Sequence, residues 1–156
     1  DISDTRSTVA VNFNGNIEGD ITNNDISGLN TDRPGEDNRG FTQAIALNEG
    51  GNAGSAPQNV EISGNEISNL ETAETEETDP SFSATHIMLE PVDDVDSINI
   101  TDNDFTAASD SESYIIDRAT GEFDLQEALD ENTFDPDAVE ISDPDDALVV
   151  ETDDSE

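Results

Sequence analysis

The side chains with chemical potential are overwhelmingly carboxylates: 40 Asp and Glu against four Lys and Arg, with one His and no Cys. Paired carboxylates are the usual machinery of glycoside hydrolysis. In a chain this acidic such pairs arise everywhere, and no spacing singles one out. His86 is the single imidazole. Without a second His or a Cys no transition-metal site is specified, and a packed or strand-surface histidine is the simpler reading. Hard oxygen ligands for a structural Ca2+ are available at Asp93, Asp94 and Asp96, and again in Asp143-Pro144-Asp145-Asp146. Neither run follows the calcium loop of a helix-loop-helix site or the glycine-rich nonapeptide, and loosely condensed monovalent cations are the alternative. Asn99-Ile100-Thr101 is an N-glycosylation sequon, with Asn99 facing outward between apolar Ile98 and Ile100. Aromatic content is 4% with no Trp, which supplies no sugar-stacking platform.

Composition narrows the classes of function. The 156 residues fit one domain of ordinary size. A formal charge of −36 removes the basic footprint that nucleic acid or an anionic membrane requires. No apolar run approaches the roughly 18 residues of a membrane span, and no signal segment opens the chain, so the start at Asp1 reads as a mature or excised piece. Acidity without any lysine resembles the proteins of extreme halophiles. At ~1 M salt the Debye length falls to about 3 Å, so surface carboxylates repel little; in dilute buffer the same charge opposes the compact state. An acidic disordered chain is the competing reading, because Ile, Leu, Val and Phe make up only about a fifth of the residues, near the disorder threshold.

Order within the chain decides for folding. The pattern aliphatic-x-x-Asn-x-(Ile/Phe) recurs at Ile21-Thr-Asn-Asn24-Asp-Ile26, Ile62-Ser-Gly-Asn65-Glu-Ile67 and Ile100-Thr-Asp-Asn103-Asp-Phe105, with a looser copy at Leu129-Asp-Glu-Asn132-Thr-Phe134. Val60-Glu-Ile62 and Ile98-Asn-Ile100 lead into two of these with the period-2 alternation of a half-buried strand. A second strand precedes each of the first three copies, at Val9–Phe13, Ala44–Leu47 and His86–Leu89, and Tyr114-Ile115-Ile116 starts a fourth. The unit reads as strand, turn, strand, Asn corner, then a long polar loop at about 28–40, 70–82 and 106–112. Such a unit cannot bury its apolar face alone. Stacking of copies, strand over equivalent strand, buries a continuous column. Asn suits the corner through its tolerance of left-handed backbone angles and an amide that can bond its equivalents above and below.

These repeats resemble the right-handed parallel β-helix family, the pectate-lyase-like solenoids with N-x-I-S-x-N-x-I repeats; Asn59-Val-Glu-Ile-Ser-Gly-Asn65-Glu-Ile-Ser-Asn69 carries the likeness, which covers roughly residues 7–141. The resemblance implies an all-β solenoid of about three to four rungs. Polysaccharide lyases of that family use an Arg or Lys base beside carboxylate-bound calcium, for which Arg33, Arg39 and Arg118 are the only candidates here; pairing with neighbouring acids is the plainer role for them.

The ends depart from the repeat. Asp124-Leu-Gln-Glu-Ala-Leu-Asp130 places Leu125, Ala128 and Leu129 at helical spacing, with Asp124 as N-cap and Glu127 as its capping-box partner, and so predicts a short helix across the end of the last rung. Ala138–Ile141 reads as a last strand, and 142–156 as an acidic tail or linker in which Ala147–Val150 could add an edge strand. No equivalent cap precedes Val9. An uncovered first rung predicts stacking on upstream rungs of a longer chain or on another copy. Together these features point to a non-enzymatic structural or adhesive module of a halophile's cell surface, without cofactor, nucleic-acid partner or membrane insertion. Cell-surface glycans are a possible contact, and a polysaccharide-binding or polysaccharide-degrading protein is the second class.

Overall fold

The computed structural model describes residues 7–31, 41–49, 56–72, 84–90, 97–105, 113–117, 123–134, 139–142 and 147–150. Among these lie thirteen strands and one helix, in the order of the repeats. The first repeat holds β1 (Ser7–Asn14), β2 (Gly19–Thr22), β3 (Asp25–Ser27) and β4 (Asn30–Thr31). The second holds β5 (Phe41–Asn48), β6 (Val60–Ser63), β7 (Glu66–Ser68) and β8 (Glu71–Thr72). The third holds β9 (Ala84–Leu89) and β10 (Ile98–Thr101), and the fourth β11 (Ser113–Asp117) and the helix α1 (Leu125–Glu131). Strands β12 (Val139–Ser142) and β13 (Ala147–Val150) follow.

Every repeat pairs in parallel with the equivalent segment of the next. Sheet order is β1-β5-β9-β11-β13-β12 in the first sheet, β2-β6-β10 in the second, and β3-β7 and β4-β8 in two short ones. Registers carry the repeat across without slip: Val11, Ile45, Ile87 and Ile115 form one row, and Ile21, Ile62 and Ile100 another. These rows build the main core, in which Ile45, Ile62, Ile67, Leu70, Ile87 and Ile115 are fully buried. A parallel sheet needs its apolar side chains stacked in rows, so a one-residue slip would turn each row to the wrong face.

Three features lie beyond the sequence reading. The segments 28–40 and 70–82, expected to be loops, contain β4 and β8, paired as Asn30↔Glu71 and Thr31↔Thr72. Two residues are too short to display a periodicity, so only the neighbour one repeat away defines them. The large sheet also carries an apolar row on its opposite face, where Ala46, Met88 and Ile116 align and are buried, with Val9 packed against them. The unbroken apolar runs Ala44–Leu47 and Ile87–Leu89 are the sequence mark of a strand covered on both sides. Finally, within 142–156, read from sequence as an acidic tail or linker in which Ala147–Val150 could at most add an edge strand, β13 lies inside its sheet, antiparallel to both β11 and β12. No helix among the described residues is long and apolar enough to cross a membrane.

At the C-terminal end, Asp124 caps α1 by accepting the Glu127 N–H at Oδ1, 2.9 Å away. The helix buries Leu125 and Ala128 in the main core. Beside it His86, Phe105, Tyr114 and Phe134 form an aromatic cluster, with ring centroids 4.9–6.0 Å apart in the contacting pairs. His86 is wholly buried, so of the two placements open to it the packed one is found.

Candidate functional site

The four corner asparagines, Asn24, Asn65, Asn103 and Asn132, are brought into one hydrogen-bonded ladder. Asn24 Nδ2 donates to Asn65 Oδ1, Asn65 Nδ2 to Asn103 Oδ1, and Asn103 Nδ2 to Asn132 Oδ1, each at 2.8 Å. Every Oδ1 in this series accepts a second bond from the same neighbour's backbone, with Asn24 N, Asn65 N and Asn103 N donating at 2.9–3.0 Å. The second Nδ2 proton of each inner member reaches back one repeat: Asn65 to Ile21 O, Asn103 to Ile62 O and Asn132 to Ile100 O, at 2.8–2.9 Å. Asn65 is 1% exposed and Asn103 0%, so these amides are removed from water with their hydrogen-bonding capacity filled. The ladder therefore has a direction, with donors pointing from each earlier repeat to the later one. At its far end Asn132 Nδ2 also donates to Ala128 O of α1 at 2.7 Å, which closes the series on the helix.

The corner itself is made by a different residue from the one expected. Left-handed backbone falls on Asn23 (φ 55°), Gly64 (φ 64°) and Asp102 (φ 57°), each immediately before a ladder asparagine, and not on Asn24, Asn65 or Asn103. The division of labour is physical. The chain reverses at a residue that tolerates positive φ, which leaves the next side chain aimed inward along the stack. Gly28 (φ 67°) and Asn69 (φ 52°) repeat the device before Leu29 and Leu70.

A second polar thread, not legible in the sequence, joins the short strands to the large sheet. Thr42 Oγ1 donates to Glu71 O at 2.6 Å, lies 2.8 Å from Thr31 Oγ1 and accepts from Thr72 Oγ1 at 3.0 Å. Thr31 Oγ1 donates to Phe41 O at 2.9 Å, and Thr8 Oγ1 to Asn30 O at 2.9 Å. Thr31 and Thr42 are completely buried. Their only sequence signal is the shared 41-residue offset between Thr31 and Thr72.

On the outer surface, amides stand where lysines would ordinarily meet carboxylates. Asn99 Nδ2 donates to Glu61 Oε2 at 2.7 Å, Asn59 Nδ2 to Glu18 Oε1 at 3.2 Å and Asn30 Nδ2 to Glu71 Oε2 at 3.4 Å, every pair spanning adjacent repeats. Asn99 is exposed, and its amide nitrogen, the atom a glycan would occupy, is the one bonded to Glu61.

Asp93, Asp94 and Asp96, the run Asp143–Asp146, and Arg33, Arg39 and Arg118 all lie outside the described residues. Among the described residues no group of three or more His, Cys, Asp or Glu is placed to hold a metal ion. What the arrangement does chemically is hold repeats together: saturated amides offer neither a nucleophile nor an acid. Comparison with protein-family models, curated proteins and solved structures finds no match to this chain.

Proposed function

We propose that the chain is a non-enzymatic structural and adhesive module, a right-handed parallel β-solenoid of three to four rungs in a surface protein or filament of a high-salt organism. The continuous ladder Asn24–Asn65–Asn103–Asn132 carries this reading. A ladder whose inner amides, Asn65 and Asn103, are buried and fully bonded, joined to in-register parallel sheets, is costly to open, because a broken inner step strands buried donors and acceptors. Rigidity along the stack is the property such a device supplies. High-salt adaptation is supported by the −36 charge without lysine and by the amide–carboxylate pairs of adjacent repeats, which give acids a partner that salt does not screen away.

Three measurements test it. Far-UV circular dichroism over a KCl titration is expected to show the β signal appearing only toward molar salt; a signal unchanged in dilute buffer overturns the high-salt assignment. Stretching single molecules in molar KCl is expected to give high-force rupture in repeat-sized steps. Turnover of a polysaccharide by the purified chain under the same conditions would replace the structural role with the enzymatic one.

A further inference from the structure

The ladder is saturated at one end and open at the other, and the open end shows what it lacks. Each inner asparagine receives two donors at Oδ1 from the earlier repeat and sends one Nδ2 proton back to that repeat's carbonyl. Asn24 has neither. Its Oδ1 accepts nothing among the described residues, and its Nδ2 proton turns instead to Thr22 O, two residues away in its own chain, at 3.1 Å. Asn24 is exposed where Asn65 and Asn103 are buried.

The backbone and the core repeat the pattern. Glu66 N–H and Glu71 N–H donate back to Asn24 O and Leu29 O at 2.9 Å, so the equivalent N–H groups of Asp25 and Asn30 face the open edge. Val11, Phe13 and Leu29 are half-buried where Ile45, Leu47 and Leu70 are fully buried, and Ala10 is exposed where Ala44 is buried. Among the described residues no element covers the apolar columns at this face.

We infer that this face takes a further strand–corner–strand repeat, placed before β1 in chain order and bound in parallel. Its ladder asparagine donates a side-chain amide and a backbone N–H to Asn24 Oδ1, as Asn24 does to Asn65, and the carbonyl three residues before that asparagine draws the Asn24 Nδ2 proton away from Thr22, as Ile21 O does for Asn65. The inference rests on the stacked-repeat reading above and adds the identity and polarity of the occupant. A second copy of this chain does not fit. Head to tail, the donors at the other end are already spent, because Asn132 Nδ2 bonds Ile100 O and Ala128 O. Face to face, Asn24 Oδ1 would meet its own equivalent, acceptor against acceptor, with the exposed Asp20 and Asp25 brought against theirs.

The test is an extended chain in which a copy of residues 41–82 is joined ahead of Asp1, studied by NMR in molar KCl beside the unextended chain. Amide exchange at Asp25 and Asn30 is expected to slow by about tenfold or more, and the Asn24 side-chain amide resonances to move toward those of Asn65. The same extension carrying Asn65→Ala in the added copy is expected to lose most of that protection. Unchanged exchange at Asp25 and Asn30, while the Asn65 and Asn103 side-chain amides stay protected, overturns the occupant but leaves the ladder standing. Loss of protection at Asn65 and Asn103 as well overturns the stacked-repeat reading itself. Protection of Asp25 and Asn30 in the unextended chain, accompanied by a dimer mass in sedimentation, overturns the inference in favour of a second copy.

Discussion

The first and the last repeats end the same stack in opposite ways. At the C-terminal end the ladder runs into α1 through Asn132 and Ala128, the core column is sealed by Leu125, Ala128, Phe105 and Phe134, and β13 and β12 add antiparallel partners beyond β11. At the N-terminal edge the same column ends on half-buried Val11, Phe13 and Leu29, and the same ladder on the exposed Asn24. Repeats stacked in parallel cannot terminate themselves, because each face presents what its neighbour must complete. Termination needs an element that breaks the repeat. Here a helix does it, by turning carbonyl Ala128 O toward the last asparagine.

Substitutions at matched positions sharpen this contrast, because each pair changes one chemistry in two surroundings. Urea unfolding in molar KCl is the measurement throughout. Phe105→Ala opens a cavity under His86, Tyr114 and Phe134 and is expected to cost about 3–5 kcal/mol, whereas Phe13→Ala at the open edge should cost about 1–2 kcal/mol. Asn103→Ala removes four hydrogen bonds and strands Ile62 O and the Asn65 N–H in the interior. A loss of about 3–4 kcal/mol is expected, against less than about 1 kcal/mol for Asn24→Ala. Equal costs for the two asparagines would break the comparison.

Two glycines separate backbone strain from space. Gly64 and Gly28 share nearly the same positive φ, but a Cβ on Gly64 would sit 2.9 Å from Asn23 Oδ1 while one on Gly28 meets nothing within 4 Å. Gly64→Ala should cost about 2 kcal/mol and Gly28→Ala about 1 kcal/mol, the difference measuring the contact alone. Smallest of all, Asp124→Ala removes the cap that accepts Glu127 N–H and should lower stability by about 0.5–1 kcal/mol, with helical signal lost before β signal.

Much of this stack is legible in the residues before any coordinates. Ile21, Ile62 and Ile100 stand three residues before Asn24, Asn65 and Asn103, and the structure pairs those isoleucines in register. Asp124 and Glu127 announce the start of α1 by their three-residue spacing, and the Asp124 cap forms as read. Other features escape because they carry no local period. Strands β4 and β8 are two residues each, and the Thr31–Thr42–Thr72 thread joins three strands whose threonines share no local motif. The corner is instructive in a different way. The recurrent Asn draws attention as the turning residue, yet the turn belongs to the varied position before it, filled by Asn23, Gly64 or Asp102. Several residue types tolerate positive φ, but an inward side chain that must both donate and accept is met here only by Asn.

What the chain determined by itself is the local grammar: apolar alternation that makes half-buried strands, the spacing of the asparagines, a helix start at Asp124, and a formal net charge of −36. Tertiary structure alone decided the direction of the ladder, the burial of His86, the alignment of Ala46, Met88 and Ile116 into a second apolar row, and the exposure of Asn24 at the first repeat. The reason lies in distance along the chain. Local features depend on neighbours a few residues away, whereas each of these others depends on what the adjacent repeat presents, tens of residues away, as in the 41, 38 and 29 residues that separate successive ladder asparagines.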